Sequence, residues 1–215
     1  MLPEFRLLVP SERTAAHDVA ARALRDDPLF VYLHGGDPLA RQAAAYSAFR
    51  EPPRAASARW WRRFAPSPVV PAPTVWGAVL AGHVVATAAA AAPDACFVAK
   101  LPASVSLGSG GPEGAPGTPD RLTRVLAELR DHHCDERHWH VGPVGVEPGL
   151  QGRGIGAAVM RLLCDAMDAD GEVAFLETET PENVVFYRRL GFEVVSEAHL
   201  TGLDLWFMRR PPRGR

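Results

Sequence analysis

The 215-residue sequence predicts a mixed α/β domain built on one central sheet. Three observations carry that reading. Strand-like and helix-like stretches alternate along the chain. Two strand candidates meet at a tight Ala81-Gly82 turn, a hairpin signal. A third, His138 to Val146, runs through a glycine-rich loop into a helix of clean 3.6-residue period. With 47% apolar and 22% charged residues the chain has enough apolar surface for a core, which excludes wholesale disorder. A single domain over residues 1–215 is expected.

Each element has its own signal. Phe5 to Val9 reads as a strand stopped by Pro10. Ser11 and Thr14 are both suited to cap a helix reaching Arg25, with Ala15, Val19, Ala23 and Leu24 on one face and Asp27-Pro28 closing it. Asp37-Pro38 opens a second helix toward Phe49, the proline at its first position. Trp60, Trp61 and Phe64 share helical spacing, and prolines 66, 68, 71 and 73 mark a connector. Thr74–Leu80 and His83–Ala89 make the hairpin. Residues 102–119, with Ser, Gly and Pro dominant from 108, read as a flexible loop.

Thr118-Pro119-Asp120 starts a helix whose Leu122, Val125, Leu126 and Leu129 form a stripe. The helix after the glycine loop aligns Ile155, Val159, Leu162, Leu163, Ala166 and Met167, and ends at Asp170-Gly171. Val173–Thr178 is a short buried strand. Thr180-Pro181 opens a helix that stops at Leu190-Gly191, and Phe192–Val195 with Leu203–Met208 close the chain as an antiparallel pair.

Charge and cysteine usage narrow the partners. Lys plus Arg is 23 and Asp plus Glu 25, a net charge of −2, so neither nucleic acid nor an anionic membrane is expected. The most apolar run, Val84 to Ala92, falls far short of the ~20 residues that span a bilayer. The amino terminus lacks a signal pattern, and three scattered cysteines, Cys96, Cys134 and Cys164, favour a reducing compartment. A cytoplasmic protein, monomer or homodimer, is expected.

The most informative stretch is Gln151-Gly152-Arg153-Gly154-Ile155-Gly156. Glycines leave backbone N–H groups uncovered, and the amino terminus of the following helix adds partial positive charge, which suits a diphosphate. A tight strand-to-helix turn without a ligand is the plainer reading. A nucleoside triphosphate loop fails because no Gly-Lys-Ser/Thr follows. A dinucleotide fingerprint fits loosely, as Gly152-x-Gly154-x-x-Ala157 with Glu172 about 20 residues on. Residues 147–150 part its glycines from the strand, and only about 60 residues follow, which is short for such a domain; it stays an alternative.

Gln151-x-x-Gly154-x-Gly156 after Gly145-Val146-Glu147-Pro148 resembles the acetyl-coenzyme A loop of the GNAT superfamily of N-acetyltransferases. The likeness continues through Phe175-Leu176-Glu177-Thr178 and Asn183-Val184-Val185-Phe186-Tyr187-Arg188-Arg189-Leu190-Gly191-Phe192, in order, across residues 138–195. Within the superfamily these runs are most similar to puromycin N-acetyltransferase-like actinobacterial enzymes. The resemblance implies a single domain with a mixed sheet of six to seven strands flanked by helices, splayed at the acetyl-CoA site. It implies transfer of an acetyl group from acetyl-CoA to a primary amine of a small molecule by direct attack, with antibiotic resistance as one setting. A sensor domain that binds coenzyme A without turnover, and an enzyme acting on a protein or peptide amine, are the alternatives.

Carried over residue by residue, Val144, Gly145 and Val146 are the edge for the pantetheine arm, a backbone N–H near Val144 serving as oxyanion donor. Gln151, Gly152, Arg153, Gly154, Ile155 and Gly156 take the diphosphate. Gly142-Pro143 suits a bulge. Tyr187 is the general acid at the coenzyme A sulfur and also lines the cofactor site, and Asn183, four positions earlier on the same helix face, meets the pantetheine arm. Two residues compete as general base, His140 and Glu177, unless water relays the proton. Packing beside Phe186 and helix capping are the plainer roles for Tyr187 and Asn183. His132, His133, Cys134, His138 and His140 lack the paired spacing of a metal site, and no metal is expected.

Overall fold

The computed structural model describes residues 2–49, 73–96, 98–100 and 118–214. Seven strands form one mixed sheet: β1 (Glu4–Leu7), β2 (Thr74–Leu80), β3 (His83–Ala91), β4 (His138–Val146), β5 (Val173–Thr178), β6 (Glu193–Leu200) and β7 (Leu203–Arg210). Their spatial order is β1-β2-β3-β4-β5-β7-β6, antiparallel everywhere except β4 beside β5. The described helices are α1 (Arg13–Ala23), α2 (Pro28–His34), α3 (Pro38–Phe49), α4 (Thr118–Asp131), α5 (Ile155–Asp170) and α6 (Pro181–Arg188). The expected tryptophan segment 59–64 and most of the loop 102–119 lie outside the described residues, although 118 and 119 already belong to α4.

The two faces of the sheet are covered by different helices. On one face α5 buries Val159, Met160, Leu163 and Met167 with Ala86, Ala88, Ala90 and Leu176. On the other, α2 and α4 pack Tyr32, Leu33, Val125 and Leu129 against Phe175 and Phe207. The alanine run of β3 is buried on both faces. Such small side chains let helices approach the sheet closely from either side, and Gly145 on β4 extends the effect. A Cβ there would lie 2.9 Å from Ala23 Cβ and 3.1 Å from Ala20 Cα of α1.

Some expected boundaries move. Asp27-Pro28 does not end a helical region but starts α2, with Asp27 as N-cap accepting from Leu29 N–H at 2.9 Å and Pro28 in the first turn. The pair carries the same start signal as Asp37-Pro38; the short α2 is stabilised by burying Phe30, Tyr32 and Leu33 rather than by length. Neither Ser11 nor Thr14 caps α1, since a 3₁₀ turn over Pro10–Glu12 leads straight into it. Ala15 is exposed, and the buried face is Ala16, Val19, Ala20 and Ala21. The last pair of strands is longer than expected, because β6 runs on to Leu200 along β7.

Two features of β4 position the site. Ala88 pairs with Val144 and Ala90 with Val141, so β4 carries one extra residue at Gly142-Pro143, the bulge expected from sequence. Against β5 it pairs only at His138↔Val173, Trp139↔Ala174 and His140↔Phe175. Beyond His140 the strands part: β4 follows β3 while β5 follows β7. Among the described residues, the splay leaves the β5-facing edge of residues 141–146 without a strand partner. Among the described residues no helix is long and apolar enough to cross a membrane.

Candidate active site

The glycine loop closes one end of the splay. After β4 the chain makes a 3₁₀ turn over Pro148–Leu150, and Gln151 Nε2 donates to the Val146 carbonyl at 3.1 Å. Gly152, Arg153 and Gly154 are exposed. Gly154 caps α5 at φ +79°, a left-handed conformation that a side chain would strain. The first hydrogen bond of α5 runs from Ala158 N–H to the Gly154 carbonyl. The N–H groups of Ile155, Gly156 and Ala157 therefore have no acceptor within the helix. Gly156 sits where a Cβ would be 3.2 Å from Val146 Cγ2, so the loop is folded tightly onto the end of β4. An apolar groove lined by Leu2, Phe5, Leu80, Leu150 and Ile155, with Arg153 at its side, adjoins it.

Across the splay stand Tyr187 and a set of carboxylates. Tyr187 is 8% exposed, with edge-on ring contacts to Phe186 and Phe192 at 5.1 and 5.8 Å, so it does pack as an aromatic. Its phenol also lies in the field of Glu179, Asp27 and Glu177; burial first and these three charges next push its proton affinity up. Glu179 is itself raised well above the carboxylate range, by burial and then by Asp27 and Glu177. Burial lifts Asp27 to about 6. Asn183 comes from the same helix as Tyr187. The α6 cap is made by Thr180 Oγ1, which accepts from Asn183 N–H at 3.3 Å, so the cap does not occupy the Asn183 side chain.

The two candidate bases meet. His140 Nε2 lies 3.2 Å from Glu177 Oε2 and 3.3 Å from Oε1. His140 is 6% exposed, whereas the half-buried Glu177 keeps contact with the cleft. On its other side His140 Nδ1 is 3.3 Å from Cys96 Sγ. Burial disfavours a charged ring there, but Glu177 and Cys96 outweigh it and raise His140 to about 10. His133 and His138 stand beside it at ring separations of 5.7 and 6.1 Å, while His132 turns away to stack on Phe207 at 4.8 Å.

Of the residues named from sequence, the structure brings His140 and Glu177 into contact, sets Tyr187 in the field of Glu177, and folds the glycine loop onto the end of β4. Sequence reasoning missed Asp27, Glu179 and Cys96. Glu179 is two residues past Glu177, and Asp27-Pro28 reads from sequence as a helix end, but nothing local says that either lies near Tyr187. Cys96 is separated from His133 and His140 by 37 and 44 residues, a distance that spacing rules do not cross.

Residues 37–192 match the model of the acetyltransferase (GNAT) family. Among curated proteins, the N-alpha-acetyltransferase RimI of Mycobacterium tuberculosis is 29% identical over 143 residues, covering 54% of this chain and 86% of that protein. Among solved structures, a histone acetyltransferase HPA2 and related acetyltransferase from Corynebacterium glutamicum superposes with a TM-score of 0.62 at 17% identity, over 100% of this chain and 99% of that one. The PaiA N-acetyltransferase of Thermoplasma acidophilum, solved with coenzyme A, gives a TM-score of 0.54 at 12% identity, over 98% and 99% of the two chains.

Proposed function

This chain belongs to the GNAT family of acetyl-CoA-dependent N-acetyltransferases, and on that premise we propose that its acceptor is the primary amine of a cationic small molecule. The observation that carries the reading is that Glu177, Glu179 and Asp27 all act electrostatically on the buried Tyr187 phenol. Three carboxylates in a half-buried cleft are costly unless a cation joins them. An amine that bears a second positive charge supplies one.

Acetyl-CoA supplies a thioester whose carbonyl carbon bonds the amine nitrogen as the carbon–sulfur bond breaks. Residues 144–146 present the unpaired β4 edge to the pantetheine arm, and the N–H near Val144 donates to the carbonyl oxygen as negative charge develops there. Gln151 through Gly156 hold the diphosphate on the open N–H groups of α5, with Arg153 as an added cation. Asn183 orients the pantetheine arm. Glu177 takes the proton lost by the attacking nitrogen, and Tyr187, whose raised proton affinity keeps it in the acid form, gives a proton to the leaving sulfur. His140, buried behind Glu177, acts through it by fixing the carboxylate.

A second reading rests on the 29% identity to a protein N-alpha-acetyltransferase. There a peptide amino terminus takes the place of the small amine, whereas the carboxylates that act on Tyr187 favour a small cationic molecule. The three free cysteines support a reducing, cytoplasmic setting.

Thiol release from acetyl-CoA, measured against mono-amines, polyamines, amino-sugars and short peptides, tests the proposal. Turnover strongest with a multiply charged small amine is expected. Tyr187→Phe and Glu177→Gln should lower kcat by about ten- to a thousandfold with little change in KM for acetyl-CoA. Turnover confined to peptides overturns the acceptor assignment, and tight coenzyme A binding without any turnover overturns the enzyme mechanism.

A further inference from the structure

Behind Glu177, away from the glycine loop, four metal-ligating side chains converge. Cys96 follows β3, His133 follows α4, and His138 and His140 sit two residues apart on β4; their ligand atoms all lie within 4.8 Å of one another. Cys96 is 1%, His138 3% and His140 6% exposed. We propose that Cys96, His133, His138 and His140 form a closed structural site for a divalent zinc-class ion, at the point where β4 and β5 part.

The hydrogen bonds around the cluster set each ring. His138 Nδ1 lies 2.6 Å from the Glu136 carbonyl, which only accepts, so the proton is on Nδ1. The other nitrogen, Nε2, is buried without a hydrogen-bond partner among the described residues. His140 gives its Nε2 proton to Glu177 and turns Nδ1 to the Cys96 sulfur at 3.3 Å. His133 places Nε2 3.5 Å from the same sulfur. Its Nδ1 is likewise buried without a hydrogen-bond partner among the described residues. A ring nitrogen facing inward, with its opposite nitrogen donating to a carbonyl or carboxylate, is the arrangement that histidine ligands adopt around a metal.

The distances and chemistry agree with a tetrahedral ion. Zinc bonds of about 2.0 Å to nitrogen and 2.3 Å to sulfur place neighbouring ligand atoms about 3.3–3.6 Å apart. The two sulfur-to-nitrogen separations, 3.3 and 3.5 Å, are already at that spacing. Four protein ligands fill a tetrahedral ion and leave no open position for water, which makes the site structural rather than catalytic. Phe175 packs against all three rings at 5.4, 5.6 and 6.2 Å and helps to keep the cluster dry. The ion ties the segment after β3 and the end of α4 to β4. It takes the place of the proton between Cys96 and His140, which goes to solvent, while Nε2–H stays on Glu177.

The test uses the full chain. Protein stripped by chelator is titrated with Zn2+ against a chromophoric competitor, and separately loaded with Co2+. One Zn2+ per chain is expected, with a higher thermal midpoint, and the Co2+ form should show intense tetrahedral d–d bands beside a thiolate charge-transfer band. Cys96→Ser should abolish the charge-transfer band, and His133→Ala should lower Zn2+ affinity at least tenfold. If Cys96→Ser does not fold, His133→Ala and the thermal shift of the unaltered chain decide. Failure to hold Zn2+ against the competitor, a six-coordinate Co2+ spectrum, or a stoichiometry unchanged in both variants overturns the proposal. None of these readouts depends on acetyl transfer.

Discussion

Arg22 of α1 holds both carboxylate oxygens of Glu147, the residue that follows β4, with Nε 3.0 Å from Oε1 and 3.2 Å from Oε2. The same guanidinium donates to Tyr46 of α3 at 3.2 Å, and Glu147 N–H donates to the Val85 carbonyl of β3 at 2.9 Å. Two helices from the first fifty residues are thereby fixed to the base of the glycine loop. Arg22→Gln should lower unfolding free energy by only about 1 kcal/mol, because the pair keeps solvent contact. KM for acetyl-CoA should rise severalfold with kcat less affected. Steady-state kinetics beside denaturant melts check the split.

Gly154→Ala probes the loop conformation itself. At φ +79° a Cβ is strained by about 1–2 kcal/mol, although no neighbouring atom of the described residues lies within 4 Å of it. The strain should appear as a roughly five- to thirtyfold weaker Kd for coenzyme A by calorimetry. Because the cost is conformational rather than steric, Gly154→Asn should lose less.

Arg210 at the end of β7, 2% exposed as a side chain, grips Asp168 of α5 through two bonds of 2.7 and 2.6 Å and donates to the Leu190 carbonyl at 3.0 Å. Asp168→Asn should cost about 2–3 kcal/mol; Asp168 keeps some solvent contact, which puts the figure below that for a wholly buried pair. The Arg210 hydrogen bonds hold Asp168 below its ordinary carboxylate value. A depressed acid contributes stability above its unfolded value of about 3.9 and loses it as pH falls through the folded value. The gap between wild type and variant should be full at pH 7 and shrink below pH 4 in urea titrations.

Asp27 tests the charge of the acceptor. Its proton affinity is raised to about 6, so it is anionic at pH 8 and neutral at pH 5. A quaternary diamine inhibitor, which cannot titrate, should bind about five- to tenfold more weakly at pH 5 than at pH 8. In Asp27→Asn, which retains the cap on α2, the affinity should be low throughout and lose the inflection near pH 6. Inhibition constants across pH provide the measurement.

What the sequence made legible was local or periodic. The stripe Leu122, Val125, Leu126 and Leu129 packs in the α4 layer as expected, and the strand, glycine loop and α5 fall where their period and turns put them. Alternation along β5 also sufficed to aim Glu177 to the side of Phe175 and His140. The omissions are all of one physical kind. α2 is held by burial against other elements, and the field of Asp27 at Glu179 and the meeting of Cys96 with three histidines depend on how distant segments close over the sheet. Neither propensity nor spacing encodes such closure, whereas a carboxylate on a strand end or a glycine beside a helix start declares itself.

The three-rung junction between β4 and β5 also has a mechanical meaning. It divides the sheet into a four-stranded panel, β1 to β4, and a three-stranded panel, β5, β7 and β6, joined by a seam that is stitched at one end only. Such a seam lets the panels tilt relative to one another without breaking ladder hydrogen bonds beyond residue 140. On the proposed site, a ligand laid in the gap would act as the missing stitches, bonding one panel along its edge and touching the other at α6. Backbone amides of residues 141–146 should then exchange with solvent more slowly once the gap is filled, while those of β2 change little.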